Sequence, residues 1–531
     1  MTHELTGSHL INGRWVKSAG ATFAGINPAT GDGLEPQIAE AGETEVNAAL
    51  AAAAEAFKSA ADLPPRWPRD LLDAIAAKIM DLGDALLELT AAETALPQQR
   101  LIGERARTTG QLKMFAQIAA EGSWVEAVID TADPARTPAP KPDLRRMLRP
   151  RGPAVVFGAS NFPFAFGTLG GDTASALAAG CPVIVKGHPA HPGTSEMLAA
   201  AVLAALEETK LPRGLFALLQ GRGHELSGAL VKHPSTAAVG FTGSLKAGRA
   251  LFNIAAARPS PIPVFAEMGS INPVVLMPGA IAERGAAIAE GLTASVLMGG
   301  GQFCTKPGVV FAVTDKFTGF VQRLAGIIRH AKPVTMLNPA LRDHFHKHLQ
   351  LLDRLEDVNG VDVSEETVGA AGVWPALLQT DAEGFQREPL LREEAFGPAT
   401  IVVHCNDADE VIACLDQLQG NLTGTIHIGS TDTADAPRVL RSLEEKVGRV
   451  IVNGYPTGVE VNNAIVHGGP YPATTDSGTT SVGSAAIRRF VRMVAYQDLP
   501  DQLLPPALQN ANPLGIQRVV NGRRTDEPIA V

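Results

Sequence analysis

The sequence predicts an α/β fold organised around a parallel, doubly wound sheet, and three observations predict it. From Gly152 onward, short apolar runs alternate with longer segments of helix formers. The runs are rich in Val, Ile and Phe with no polar alternation, the pattern of strands buried on both faces. Turns of Gly, Asn and Pro punctuate them.

Taken in order, residues 47–62 (NAALAAAAEAFKSAAD) are Ala-rich and predict a helix. A longer helical region follows from Pro68 through Leu89 and past Arg107. Residues 130–150 change character, with Pro134, Pro138, Pro140, Pro142 and Pro150 beside the basic cluster Arg145, Arg146 and Arg149. This segment reads as an extended or hairpin excursion, a disordered linker being the alternative. Strands are expected at 154–157, 182–186, 216–219, 237–241 and 264–268, with helices at 172–179 and 195–209 between them. A second alternating region opens near Asn272. It runs through a helix at 285–297, a strand at 308–313 and a helix at 318–331 to a strand near 450–453. Residues 484–496 suit helix or strand, and a Pro-rich tail follows.

Composition narrows the function. The chain has 531 residues, 45% hydrophobic and 19% charged, too apolar and too weakly charged for disorder. Lys and Arg total 45 against 55 for Asp and Glu, a net charge of -10, so no nucleic-acid partner is expected. None of the four cysteines stands at CxxC spacing, which argues against a zinc ribbon or thioredoxin site. No apolar leader opens the chain and no membrane-length apolar run follows, so the expectation is a cytoplasmic protein without a membrane partner.

Four places carry candidate chemistry, and each has two readings when taken alone. Cys304 follows three glycines in MGGGQFCTKPG, as a low-pKa nucleophile at a turn or a packed cysteine in a glycine loop. Glu267 closes the apolar strand PVFAE, as a general base raised toward neutrality by burial or a strand-end cap. Asn161 in FGASNFPF is an oxyanion donor or a turn former. Gly243, Ser244 and Gly248 follow a strand, where backbone N–H groups can meet a pyrophosphate. Their G-x-x-x-x-G spacing departs from G-x-G-x-x-G and carries little by itself. His344 and His348 stand at i, i+4 with no third ligand evident, so a solvated helix face is expected and no metal. No histidine lies in a segment obviously presented to Cys304, which argues against a Cys/His hydrolase.

In company and in this order, the segments are specific. SNFPF, PVIVK, FTGSLKAG, FAEMGSINP, GQFCTKPG, EEAFGP and VNGYPTGVEV together resemble the aldehyde dehydrogenase superfamily over nearly the whole chain. GGDTASALAAGCPVIVKGHPAHPGTSE and HGGPYPATTD are similar to the branch of 2,5-dioxovalerate (α-ketoglutaric semialdehyde) and NADP-dependent fatty-aldehyde dehydrogenases. The resemblance implies the aldehyde dehydrogenase fold. It has a Rossmann-like nucleotide-binding domain (1–130 and 152–267), an α/β catalytic domain (268–475) and a β oligomerisation arm with tail (131–151 and 476–531). The arm implies a homo-oligomer, dimer or tetramer.

It also implies roles. Cys304 attacks the aldehyde, Asn161 and the Cys304 N–H hold the oxyanion, hydride leaves to the nicotinamide, and Glu267 activates water on the thioester. Lys186 matches the adenosine-ribose lysine, Gly243, Ser244 and Gly248 the pyrophosphate turn, and Glu394 with Phe396 the nicotinamide-ribose grip. Pro189 stands where NAD-selective members carry a repelling Glu, so NADP is expected with NAD tolerated, helped by His188 or Arg222. The implied reaction is hydrolytic oxidation of 2,5-dioxopentanoate. The alternatives are medium- or long-chain aliphatic aldehydes, suggested by Phe162, Phe164, Phe166 and Phe303, and a non-catalytic binding protein on the same fold. Three departures stand out: Met268 and Ser270 in the acid-Leu-Gly-Gly segment, Lys306 in place of Asn, and the polar pair Asn462-Asn463. Lys306 either biases the pocket toward acidic substrates or points to solvent, the latter being expected.

Overall fold

The computed structural model of the chain describes residues 3–315, 317–362 and 368–529. Two seven-stranded sheets and one five-stranded sheet organise it, and the expected α/β architecture holds. In the first sheet the strands run Val264–Glu267, Ala238–Thr242, Ala154–Phe157, Val183–Lys186, Phe216–Leu219. These five are parallel, and the hairpin His9–Ile11 with Arg14–Val16 adds an antiparallel edge. Every residue of 154–157, 183–186 and 216–219 is buried, as their unbroken apolar runs require. The chain leaves Ala154–Phe157 toward one edge and returns to its other side at Ala238–Thr242. The carboxyl ends of these two strands therefore flank the crevice in which doubly wound sheets bind ligands.

The second sheet is ordered Asn359–Asp362, Ala376–Asp381, Ala399–Cys405, Val309–Val313, Val274–Leu276, Asn421–His427, Val447–Val452, with only the first strand antiparallel. Separate apolar clusters fill both faces of each sheet, for example Leu177, Val183 and Leu198 against Val155, Ile184 and Leu230 in the first.

The expected helix from Pro68 onward is three: Trp67–Asp81, Gly83–Thr94 and Gln98–Glu121. Ala95 ends the second in the left-handed region (φ 54), and Pro97 immediately precedes the third. The Pro-interrupted excursion is extended, not a disordered linker. Leu144–Pro150 pairs antiparallel with Val491–Gln497 along its whole length. Val128–Asp130, Arg518–Val520 and Arg523–Thr525 complete this third sheet. The segment expected as helix or strand near 484–496 is both in turn, a 3-10 stretch Ser484–Phe490 leading into that edge strand.

Candidate active site

Cys304 is placed by the way its preceding helix stops. Helix Pro278–Leu297 gives way to Gly299, Gly300 and Gly301, with φ of 60, 68 and 68°, conformations that cost glycine nothing. A Cβ on Gly301 would lie 2.3 Å from the Gly397 carbonyl, so only glycine lets the 394–398 loop lie against the cysteine loop. Asn272 then pins that loop, donating through Nδ2 to the carbonyls of Cys304 (2.8 Å) and Lys306 (3.0 Å). The Asn161 amide donates to the Gln302 carbonyl at 2.9 Å, two residues from the thiol, and leaves its second N–H for another acceptor.

Glu267, at the carboxyl end of its strand, is buried beside this loop. Ser481 Oγ donates to its Oε2 at 2.5 Å, and His467 Nε2 lies 3.0 Å from Oε1. The same Nε2 is 3.4 Å from Cys304 Sγ, and donor atoms of Cys304, Glu267 and His467 all fall within 4.8 Å of one another. The expectation that no histidine faces Cys304 is therefore corrected. His467 opens HGGPYPATTD, and sequence alone gave no sign that this loop folds back over the cysteine.

The electrostatics correct two further expectations. Burial works to raise the Glu267 carboxyl. The charge and hydrogen bond of His467, with the Ser481 hydroxyl and the Cys304 thiol, outweigh it and hold the group below the usual carboxylate range. Cys304 goes the other way: burial, then the charge of Glu267, push the thiol well above its ordinary value, so it rests protonated rather than as a low-pKa thiolate.

Lys306 does not point to solvent. It is 1% exposed, and its ammonium donates to the carbonyls of Ala395 (3.0 Å) and Ala399 (2.8 Å) beside the Glu394 carboxyl. Burial lowers this lysine to about 8 and raises Glu394 to about 7, each opposed by the other's charge. The reason is long-range: two carbonyls some ninety residues on supply the acceptors that make burial tolerable. Lys306→Met should strand both carbonyls and the Glu394 carboxyl, costing about 3 kcal/mol of stability. A urea unfolding midpoint read at constant slope checks it, and a loss below about 1 kcal/mol would contradict it. His348 likewise departs from the expected solvated face; on helix Pro339–Leu352 it is buried while His344 is exposed.

The remaining singled-out residues lie along the carboxyl edge of the first sheet and the facing loop. Lys186 ends its strand, buried, with its ammonium lowered to about 8 by desolvation against the charge of Glu40. Gly243 follows strand Ala238–Thr242, and Ser244 caps helix Leu245–Ala256, its Oγ accepting from Ala247 N at 3.3 Å. A Cβ on Gly248 would meet Met268 Sδ at 2.7 Å, so the Met268 departure packs against this turn. Glu394 Oε2 lies 2.8 Å from where Gly269 would carry a Cβ, and Phe396 is half-buried in the same loop. Arg222 is brought to Glu40 instead, at 3.0 Å, with its side chain exposed. His188 is held well below its ordinary value by burial, then by His191 and Lys186, and is neutral. Ser270, the other departure in that segment, donates to Asn272 Oδ1 at 2.8 Å, joining the network that pins the cysteine loop.

A doubly wound sheet whose carboxyl edge brings a cysteine, a glutamate and an amide together with a strand-end lysine defines a class. The chain belongs to the aldehyde dehydrogenase family, which it matches over residues 15–493; it is an aldehyde dehydrogenase and uses a nicotinamide dinucleotide. It is 48% identical over 522 residues to alpha-ketoglutaric semialdehyde dehydrogenase 2 of Azospirillum brasilense, covering 98% of this chain and 99% of that one. It is 43% identical over 521 residues to alpha-ketoglutaric semialdehyde dehydrogenase of Acinetobacter baylyi, covering 98% and 99%. The fold matches that of an aldehyde dehydrogenase from Bacillus cereus solved as an NAD+ complex, with TM-score 0.77 and 22% identity over 92% of this chain and 96% of that one. Among the described residues no helix is long and apolar enough to cross a membrane.

Proposed function

We propose that the protein oxidises 2,5-dioxopentanoate to 2-oxoglutarate by a hydrolytic, non-acylating route, with NADP preferred and NAD tolerated. The observation that carries the chemistry is the Cys304 thiol set against an ionised Glu267 and the His467 imidazole. The semialdehyde substrate is taken from the two relatives of highest quoted identity.

Glu267, held ionised by His467 and Ser481, accepts the thiol proton as Cys304 attacks the aldehyde carbon. The carbonyl electron pair moves to oxygen, where the free N–H of Asn161 and the backbone N–H of Cys304 hold the charge. A dinucleotide held here would supply the hydride acceptor; Cys304 holds the carbon in place meanwhile and is left carrying the acyl group as a thioester. Glu267, its first proton passed to solvent, then draws a proton from water as the water attacks the thioester; the C–S bond breaks, the acid leaves and Glu267 returns that proton to the thiolate. An acyl transfer to coenzyme A would gain nothing from such a base, and a binding protein would not need the trio.

The residues fit a dinucleotide. The N-terminus of helix Leu245–Ala256, capped by Ser244, turns its first N–H groups toward a pyrophosphate position, while Gly243 and Gly248 give theirs to the Glu267 and Ser244 carbonyls and contribute only room for close approach. Lys186 carries an ammonium for the adenosine ribose, and Glu394 with Phe396 lines the nicotinamide-ribose position. Because Glu394 is raised to about 7, it loses its charge as pH falls through that value. KM for the dinucleotide should rise severalfold from pH 8 to pH 6; a flat profile would remove Glu394 from this role.

The NADP preference rests on Pro189, where no acid repels a 2′-phosphate, and on Lys186. His188 is neutral and Arg222 is tied to Glu40, so neither adds a free cation at rest. Glu40→Gln should free Arg222 and raise the NADP-to-NAD ratio of kcat/KM about fivefold. A strong NAD preference of the wild type would refute the cofactor reading.

The aliphatic alternative keeps one supporting feature, the ring cluster Phe162, Phe166 and Phe303, with Phe162 and Phe303 edge to face at 4.9 Å. Comparing kcat/KM for 2,5-dioxopentanoate with that for decanal decides between them. The third sheet leaves Leu144 and Met493 exposed, and the 3-10 turn Asp501–Leu503 exposes Leu503, which supports a homo-oligomer built on this side. Sedimentation would test this, with a monomer as the contrary result.

A further inference from the structure

The aromatic wall beside Cys304 carries a guanidinium with open hydrogen-bond donors. Arg107, on helix Gln98–Glu121, holds its Cζ 5.4 Å from the Phe166 ring centre and 5.8 Å from that of Phe162. Phe166 lies 6.1 Å, ring to ring, from His467, and Phe162 packs on Phe303, the residue before the thiol. Arg107 Nε and Nη2 are buried and have no hydrogen-bond partner among the described residues. Its charge reaches the thiol, opposing the burial and the acids that push Cys304 up.

Each neighbouring cation is anchored to a backbone carbonyl through at least one Nη. Arg100 donates to the Asn161 carbonyl at 2.6 Å, and Arg449 to the carbonyls of Pro456 (2.8 Å) and Gly458 (3.1 Å). Glu104, the acid nearest in sequence, gives its Oε1 to the N–H groups of Phe164 (2.8 Å) and Ala165 (3.0 Å); its charge, with those of Glu267 and Glu460, offsets part of the burial of Arg107, but none of these carboxylates takes up the open Nε and Nη2 donors. A buried guanidinium with open donors is costly unless an anion meets it, and its planar fork matches a carboxylate.

We propose that Arg107 receives the distal carboxylate of the aldehyde substrate and so selects oxo acids over uncharged aldehydes of equal length. This rests on the reading of Cys304 as the thiol that captures the aldehyde, and it adds the group that recognises the far end. The phenylalanine wall then serves the methylene chain between, with the charge read at its rim.

The test uses the full-length enzyme at saturating NADP with 5-oxopentanoate and pentanal, a pair differing in the carboxylate. Wild type should favour the acid. In Arg107→Met that preference in kcat/KM should fall about a hundredfold, mostly through KM, and Arg107→Lys should recover part of it. Iodoacetamide inactivation against pH reports any change in thiol reactivity, and pentanal turnover should fall no further than that change accounts for. Equal losses on both aldehydes, or an unaltered preference, would overturn the proposal. A wild type that oxidises pentanal but neither 5-oxopentanoate nor 2,5-dioxopentanoate would overturn the substrate reading itself. Loss of preference in Arg107→Met with semialdehyde turnover retained by wild type upholds both.

Discussion

Cys304→Ala is expected to abolish aldehyde-dependent NADP reduction, by a factor of at least about ten thousand, with every aldehyde tried. Hydride does not leave a neutral aldehyde readily; it leaves once a nucleophile has made the carbon tetrahedral and put charge on oxygen. No other sulfur can substitute, because Cys181, Cys405 and Cys414 are buried in apolar packing, and Cys181 is raised to about 11. Cys304→Ser should be almost as inactive, since burial and Glu267 disfavour an anion there already and an alkoxide is far harder to form. Dinucleotide binding, followed by quenching of tryptophan fluorescence, should survive in both variants. Turnover within tenfold of wild type would move the chemistry to another residue.

How much of this was legible in the sequence depends on the range of the interaction. Strands such as Val183–Lys186 were readable because burial on both faces leaves a local, unbroken apolar signature. Their order, and hence the crevice, is not legible in this way, because it is set by pairings between strands far apart in the chain. The break at Ala95 is not legible, because a left-handed alanine leaves no mark in composition. At the site, the residue types of Cys304, Glu267 and Asn161 were readable from their turns, but their protonation was not. Glu267 was expected to be raised by burial alone, and the loop carrying His467 and Ser481, some two hundred residues on, reverses that. Lys306 fails to reach solvent for the same kind of reason: its acceptors lie on a loop that adjacency cannot reveal. Nothing in a helix of ordinary polarity marks Arg107, since only the fold sets it over Phe162 and Phe166.

Glu267→Gln separates the two duties assigned to one carboxylate. The amide keeps the shape and still meets Ser481 and His467, but it cannot accept a proton from water. The thioester should therefore form and then persist: one equivalent of reduced dinucleotide per active site, followed by a steady state slowed about a thousandfold. The thiol responds in the opposite sense. Glu267 raises the Cys304 pKa, so removing its charge lowers that value, and the pH profile of the burst rate should move to lower pH. Rapid-mixing absorbance at 340 nm reads both quantities, and acid quench with mass analysis should find the acyl group on Cys304. If no burst forms at any pH, Glu267 is needed before hydride leaves, and its work as a base belongs to thiol capture rather than to hydrolysis. His467→Gln supplies the converse: without the partner that opposes burial, Glu267 climbs, and the wild-type rate should be regained only at higher pH.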